Sequence, residues 1–312
     1  MNGVINVYKE AGFTSHDVVA VLRKILNTKK IGHTGTLDPD ATGVLPVCVG
    51  NATRLCDLLT DETKEYVAEL RLGITTVTQD RSGKILKDET DKVKDIPDEK
   101  IAETIKRFVG EIEQIPPMYS AIKVNGQKLY NLARSGIEIE RKSRKIKIEE
   151  IEILDVSLHK VVKMRVVCSK GTYIRTLCHD IGNELGCGGC MESLERTRVG
   201  SFSVEDAYTL DEIRAIKEED GLHNIITPVD VILKRYEPLN VLDEGMKLLK
   251  NGNRLSPALI KEVDENKKHS GFIPGEIYRI YGSDGKFYGI YDFHSLKNTF
   301  DPVKMFLPDE DK

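Results

Sequence analysis

The sequence predicts a mixed α/β protein that ends in a smaller β-rich unit. Residues 3–8 and 66–73 alternate their side chains with a period of two, which is typical of strands. Between them, apolar side chains recur every three or four residues after Ser15, which indicates an amphipathic helix. From about residue 234 onward, short alternating runs separated by glycine-containing turns favour a separate β-rich unit.

The first strand, residues 3–8, is rich in β-branched side chains and is followed by the first helix. Ser15 is expected to cap this helix, because a serine hydroxyl can accept a hydrogen bond from a first-turn N–H group. The predicted buried face of the helix contains Val18, Leu22, Ile25 and Leu26.

The centre of the chain predicts further strands and two more helices. One helix begins at Asp98 and ends at Gly110. Strands over residues 146–154 and 161–168 then lead into a helix that Thr172 is expected to cap. The predicted buried stripe of this last helix contains Ile174, Leu177, Ile181 and Leu185.

Two domains are expected, residues 1–233 and residues 234–312. In the second, residues 275–281 and 286–291 alternate and are joined by Gly-Ser-Asp-Gly, which predicts a hairpin. A short helix over residues 245–252 precedes the hairpin.

The composition indicates a soluble globular protein, with 40% hydrophobic and 31% charged residues among 312. No long apolar run and no basic-then-apolar N-terminal segment occurs, so we expect a cytoplasmic protein that does not enter a membrane. Cys187 and Cys190 form one CxxC pair near Cys178, but a second pair with zinc spacing is missing. We therefore predict no metal site.

Basic side chains are concentrated in two places, although the net charge is −4. The larger concentration, here called the basic segment, covers residues 123–147. A smaller cluster consists of Arg23, Lys24, Lys29 and Lys30. Such runs are usually solvated surface, but one precedes and the other follows an unusual motif in the chain, which favours phosphate contacts.

That motif, the aspartate motif, covers residues 32–46 and reads GHTGTLDPDATGVLP. Its glycines and prolines are typical of a loop, and Asp38 precedes Pro39, which disfavours the helical conformation at Asp38. The carboxylate of Asp38 is therefore expected to be presented by a loop.

The aspartate motif resembles the GHTGxLDPxATGxLP pattern of the bacterial tRNA pseudouridine-55 synthases, the TruB-type pseudouridine synthase family, and meets every fixed position. The resemblance implies an isomerase that flips out the uridine at position 55 in the T loop of tRNA and converts it to pseudouridine. It also implies a mixed, largely antiparallel sheet flanked by helices, followed by a small C-terminal PUA-like β-barrel that binds RNA.

The resemblance further implies the site residues. Asp38 would be the nucleophile, attacking the sugar or the base, and Arg175 of a KGTYIR motif would pair with it and lower the pKa of its carboxyl. Tyr66 would stack on the uracil and take up or relay the proton from carbon 5. The expected substrate-binding residues are Lys9, His33, Asp80 and Leu194.

Two positions depart from the family pattern. Glu10 follows Lys9 where the family has proline, and Val77 occupies a position where aspartate is usual.

The resemblance implies the tRNA T-arm as partner, no cofactor, no guide RNA and a monomer. Three alternatives remain open from the sequence. The first is a non-catalytic RNA-binding or tRNA-folding protein with the same architecture, and the second is a guide-RNA-dependent relative that modifies ribosomal RNA. The third is a glycosidase that uses Asp38 and Asp40 as its carboxylate pair.

Overall fold

The computed structural model describes residues 1–120, 122–124, 126–157, 160–261 and 271–307. The strands in these ranges are β1 (Gly3–Lys9), β2 (Ile31–His33), β3 (Thr42–Val49), β4 (Lys64–Leu72), β5 (Ile74–Thr76), β6 (Ile85–Asp88), β7 (Gly110–Gln114), β8 (Lys123–Val124), β9 (Gln127–Lys128), β10 (Arg144–Val156), β11 (Val161–Cys168), β12 (Gly189–Val199), β13 (Phe202–Ser203), β14 (Ile226–Thr227), β15 (Glu237–Val241), β16 (Ile260–Lys261), β17 (Ile277–Tyr281), β18 (Phe287–His294) and β19 (Thr299–Met305).

The α-helices of the described ranges are α1 (Ser15–Ile25), α2 (Cys56–Thr60), α3 (Thr90–Val93), α4 (Asp98–Lys106), α5 (Leu129–Arg134), α6 (Ile174–Glu184), α7 (Leu210–Glu218), α8 (Leu222–Ile225), α9 (Val229–Ile232) and α10 (Met246–Lys250). The elements predicted from periodicity are therefore present, with ends that differ by a few residues. None of the described helices is long and apolar enough to cross a membrane.

The main body is one large sheet with the strand order β14-β1-β3-β12-β4-β11-β10-β7, to which β2 and β13 add at β3 and β12. Neighbouring strands of this sheet pair antiparallel, with one exception. β3 and β12 pair parallel, Thr42 with Glu195 and Gly43 with Arg196. The expected mixed, largely antiparallel sheet is confirmed.

The short parallel pairing of β3 with β12 joins the two halves of the sheet, and Gly43 makes it possible. Gly43 has φ +103°, a conformation that side chains other than glycine rarely adopt. A Cβ atom at this position would lie 2.2 Å from the carbonyl oxygen of Arg196. Because β3 begins directly after the aspartate motif's loop, this close approach brings that loop beside β12 and β4.

Each half of the sheet is covered by helices. Val18 and Leu22 of α1 pack with α7 on the half that contains β1 and β3. Ile101 of α4 and Leu177 and Ile181 of α6 pack on the half formed by β12, β4, β11 and β10. Fully burying one such side chain contributes roughly 1.5–3 kcal/mol, so these apolar faces hold the four helices against the sheet.

Two predicted caps differ from those in the structure. The N-cap of α1 is Thr14, which forms a capping box with Asp17, and the N-cap of α6 is Tyr173 without a side-chain cap. Ser15 instead accepts a hydrogen bond from the N–H of Leu37 at 2.9 Å, because its side chain is buried under the aspartate motif. The hydroxyl of Thr172 donates to the carbonyl of Ser169.

The C-terminal unit is a five-stranded sheet with the order β16-β15-β17-β18-β19. The predicted hairpin is present as β17 and β18, but β16 and β19 do not pair with each other within the described ranges, so the sheet is open there. Ile290 and Phe306 of this unit share an apolar cluster with Val4 and Leu55 of the main body. The boundary at residues 233 and 234 stays a prediction.

We predict that Gly43→Ala lowers the free energy of unfolding by at least about 3 kcal/mol. The new methyl group would clash with the backbone of Arg196, and alanine would have to adopt a φ angle that side chains other than glycine rarely adopt. Gly12→Ala is the matched control, since Gly12 has φ +87° but open space around its Cβ position. It should cost only about 1 kcal/mol. Urea unfolding measures both values, and equal losses would contradict the role given to the β3–β12 approach.

Candidate active site

Asp38 lies in the aspartate loop, residues 34–41, between β2 and β3. Two hydrogen bonds hold the backbone of this loop, one at the residue before Asp38 and one at the residue after it. The N–H of Gly12 donates to the carbonyl of Pro39 at 3.0 Å, and the Ser15 hydroxyl accepts from the N–H of Leu37 at 2.9 Å. Contacts on both sides of Asp38 thus fix the direction of its side chain.

Lys9 is the third support of the loop. Its side chain is buried, and its ammonium group donates to the carbonyls of Glu10, Phe13 and Pro39 at 3.0, 2.6 and 2.9 Å. Burial lowers its pKa to about 8. All three ammonium protons are used within the protein, and the contact of Lys9 with substrate stays a prediction.

Arg175 binds Asp38 with two parallel contacts. Its Nε lies 2.9 Å from Oδ2 of Asp38, and its Nη2 donates to Oδ1 at 3.1 Å. The Arg175 side chain is 6% exposed, whereas that of Asp38 is 37% exposed. This bidentate pair therefore orients the carboxylate while leaving part of it open to a ligand.

The same guanidinium group contacts two other loops. Its Nη1 donates to the carbonyl of Thr78 at 3.1 Å and lies 3.5 Å from the Asp80 carboxylate, and its Nη2 donates to the carbonyl of Tyr119 at 2.9 Å. Asp80 also accepts hydrogen bonds from Thr78 and Ser82. The carboxylate of Asp80 thus contacts Arg175 and its own loop, and its contact with substrate stays a prediction.

Burial raises the pKa of the Asp38 carboxyl above its ordinary value, and the nearby charge of Asp80 adds to the rise. The charges of Arg175 and Lys9 act in the opposite direction but do not cancel the effect of burial. The direction is therefore opposite to the lowering expected from the sequence. Removal from water costs the carboxylate more than its ion pair restores.

Tyr66 lies on β4 between its cross-strand partners Val166 and Arg196. It is buried and belongs to the apolar cluster that includes Leu37 of the aspartate loop. Burial raises the pKa of its phenol, and the charge of Arg196 opposes this rise. Leu194 pairs with Ala68, two residues from Tyr66 on the same face of the sheet, and its role as a wall of the base pocket stays a prediction.

Arg196 was not predicted as a site residue. It is 2% exposed, its Nε donates to the carbonyl of Val44 at 2.7 Å, and its Nη2 donates to that of Gly35 at 3.4 Å. Within the described ranges no carboxylate lies within 4.0 Å of it. Its signal in the sequence was the alternation of β12, which places it two residues beyond Leu194 on the inward face.

His33 lies at the end of β2 and is half-buried. Its Nδ1 accepts a hydrogen bond from the N–H of Gly35 at 3.3 Å, and its ring packs edge to face against that of His16, with centroids 5.4 Å apart. Burial, followed by the charges of His16 and Arg196, lowers the pKa of His33. Among the described residues, no hydrogen bond joins His33 to Asp38.

The basic segment keeps exposed cations in the described part of the chain. Four of them have no carboxylate within 4.0 Å among the described residues: Arg134, Lys142, Arg144 and Lys145. The side chains of Lys123 and Lys128 lie outside the described residues.

Cys187 and Cys190 are buried free thiols, and burial raises the pKa of Cys190 to about 11.

Comparison with known proteins assigns the chain to a family. Residues 23–174 match the family described as TruB family pseudouridylate synthase (N terminal domain), and residues 175–234 match the tRNA pseudouridylate synthase B C-terminal domain. A protein of Clostridium tetani named tRNA pseudouridine synthase B is 48% identical, over 98% of this chain and 100% of its own length. Its namesake from Lachnoclostridium phytofermentans is 51% identical with the same coverage.

The chain is also similar to chains in solved structures. The chain is similar to one in "Crystal Structure of a Cbf5-Nop10-Gar1 Complex", with a TM-score of 0.72, 32% identity and coverage of 98% of this chain and 85% of that chain. It is also similar to one in "Structure of H/ACA RNP bound to a substrate RNA containing 2'-deoxyuridine", with a TM-score of 0.71, 30% identity and coverage of 99% and 86%. The chain therefore belongs to the TruB family of pseudouridine synthases.

Proposed function

We propose that this chain converts the uridine at position 55 in the T loop of tRNA to pseudouridine. The observation that carries the proposal is the partly exposed carboxylate of Asp38, held by the buried Arg175 in a chain of the TruB family. The curated relatives named tRNA pseudouridine synthase B support tRNA as the substrate.

The reaction breaks the bond between ribose carbon 1 and uracil nitrogen 1, turns the uracil, and forms a bond from the same ribose carbon to carbon 5. The proton leaves carbon 5, and nitrogen 1 gains one, so the product is an isomer of the substrate. Asp38 acts as nucleophile, at the sugar or at the base, and the covalent intermediate divides one difficult step into two easier ones. Arg175 keeps the attacking oxygens oriented.

Tyr66 stacks on the flipped uracil and relays the carbon-5 proton. Because burial raises the pKa of its phenol, the hydroxyl is protonated at neutral pH. A protonated phenol can pass a proton on only while releasing its own, which favours a relay over direct abstraction by a phenolate. Leu194 contributes the apolar wall of the uracil pocket, and His33 contacts the RNA at the rim of the aspartate loop.

Flipping the uridine costs on the order of a few kcal/mol, which binding of the tRNA T-arm must offset. The exposed cations of the basic segment supply phosphate contacts, and the C-terminal sheet adds RNA surface as a PUA-like unit. The protein acts in the cytoplasm as a monomer, without cofactor or guide RNA. Domains 1–233 and 234–312 carry the chemistry and this added binding surface, respectively.

Replacement of Asp38 tests the function directly. We expect purified wild-type protein alone to release tritium from unmodified tRNA labelled at carbon 5 of uridine, and Asp38→Asn to release none while still binding the tRNA. Asp40→Asn is the matched control, because Asp40 is an exposed aspartate of the same loop, and it should stay active. Equal activity of both variants would refute the role of Asp38, and binding without release by the wild type would favour the RNA-folding alternative.

The pH dependence should report the environment of Asp38. Activity requires the ionised carboxylate, so kcat/KM should fall as the pH is lowered through the pKa of Asp38. This acid limb of the pH profile should lie above the ordinary carboxyl pKa of 3.8. Arg175→Lys should move the acid limb to still higher pH, because a single ammonium contact stabilises the carboxylate less than the bidentate pair. Asp80→Asn removes a negative charge and should move it to lower pH. Tritium-release rates from about pH 4 to pH 8 measure this, and shifts in the same direction would contradict the assignment.

Salt should weaken tRNA binding despite the negative net charge. Replacing both Lys142 and Lys145 by alanine should reduce the slope of log Kd against log salt concentration by roughly 1 to 2, since each phosphate contact contributes about 0.7 to 0.9. The control replaces Lys106 and Lys217, two exposed lysines on α4 and α7, and should leave the slope unchanged. Filter binding at several salt concentrations measures both slopes. An unchanged slope in the first variant would show that Lys142 and Lys145 do not contact tRNA phosphates.

A further inference from the structure

Gln114, the last residue of β7, forms hydrogen bonds with both the backbone N–H and the backbone carbonyl of Tyr173, at the start of α6. Its Nε2 donates to the carbonyl of Tyr173 at 3.0 Å, and its Oε1 accepts from the N–H of Tyr173 at 2.8 Å. The Gln114 side chain is 2% exposed, and its two polar atoms are both used in this contact. We propose that Gln114 is a positioning residue that holds Arg175 in register with Asp38, an inference that rests on the function proposed above.

The start of α6 needs such a partner. Tyr173 is the N-cap of the helix, and no side chain of the helix itself caps it. The carbonyl of Tyr173 already accepts the first helical hydrogen bond, from Leu177 at 3.0 Å, so Gln114 uses its second acceptor position. A primary amide is suited to this contact, because it offers one donor and one acceptor side by side. Gln114 thereby fixes both the position and the rotation of the first turn.

Arg175 lies in that first turn, two residues after Tyr173. Its contacts with Asp38, at 2.9 and 3.1 Å, need the guanidinium plane and the carboxylate plane to be aligned. A displacement of the helix start by about 1 Å would break this alignment, and displacements of that size can cost about a hundredfold in rate. The contact of Gln114 therefore acts on Asp38 through Arg175, without touching the substrate.

Gln114 also lies at the base of the excursion that carries most of the basic segment. It pairs with Arg144, the first residue of β10, so residues 115–143 leave and rejoin the sheet at this point. The same excursion supplies the Tyr119 carbonyl to which Arg175 donates at 2.9 Å. The base of the excursion and the catalytic pair are thus joined twice, once through Tyr173 and once through Tyr119.

The acid limb of the pH profile can distinguish positioning from a general structural role. The groups that face Asp38 are the charges of Arg175, Asp80 and Lys9, with the phenols of Tyr66 and Tyr173 nearby. An apolar replacement of Gln114 changes none of these groups. It changes the distance and angle between Arg175 and Asp38, so the pKa of Asp38 should rise further.

The test is Gln114→Leu, which keeps the volume and removes both hydrogen bonds. We expect kcat to fall roughly 10- to 100-fold, KM to stay within about twofold, and the acid limb to move to higher pH. Glu113→Gln is the matched control, because Glu113 is the exposed neighbour on β7 that accepts a hydrogen bond from Ser143. It should behave as the wild type. Unchanged kcat in Gln114→Leu, or a lower kcat with an unmoved acid limb, would overturn the proposal.

Two further measurements keep the test decisive. If thermal unfolding shows that Gln114→Leu does not fold, Gln114→Met replaces it, since methionine keeps the unbranched shape of glutamine, adds no charge and has no proton for the Tyr173 carbonyl. The pKa of Asp38 can be measured without RNA by following the NMR signal of its carboxyl carbon as the pH is changed. That signal is assigned as the one that disappears in Asp38→Asn. A higher pKa in the Gln114 variant supports the proposal even if the wild type releases no tritium, and an unchanged pKa refutes it independently of the proposed function.

Discussion

The structure depends on the need to satisfy one buried guanidinium group. Arg175 is nearly inaccessible to water, so each of its donors must find an acceptor within the protein. It finds them in Asp38, in the Thr78 carbonyl beside Asp80, and in the Tyr119 carbonyl. Three loops that are far apart in the chain therefore meet at one side chain. Breaking such a buried pair typically costs 3–5 kcal/mol, roughly the scale that holds these loops in one arrangement.

Two other buried cations act on the backbone of the aspartate motif. Lys9 donates to the carbonyl of Pro39, and Arg196 donates to those of Gly35 and Val44. Carbonyl oxygens satisfy these cations without neutralising them, so the positive charge of Lys9 still acts on Asp38. Burial and positive charge then act on Asp38 in opposite directions, and burial is the stronger. A partly desolvated carboxylate that is still paired with a cation suits a nucleophile that must attack and later leave.

Much of the fold followed from local pattern. The strands β4, β10 and β11 and the apolar stripes of α1 and α6 were correctly predicted, because one face of each element packs on a core. The caps at Ser15 and Thr172 were wrong for a physical reason. A hydroxyl near a helix start can bond to the helix or to another segment, and the aspartate loop lying over Ser15 supplied the competing partner. Only the packed structure contains that competition.

The sequence by itself determined the aspartate motif, the identity of the paired residues Asp38 and Arg175, and the family to which they belong. The tertiary structure decided the direction of the Asp38 pKa shift, the inward position of the Lys9 ammonium group and the part played by Gln114. Each of these depends on burial and on distances between segments that are remote in the chain. Desolvation and hydrogen-bond satisfaction are properties of an enclosed volume, which a linear pattern does not specify.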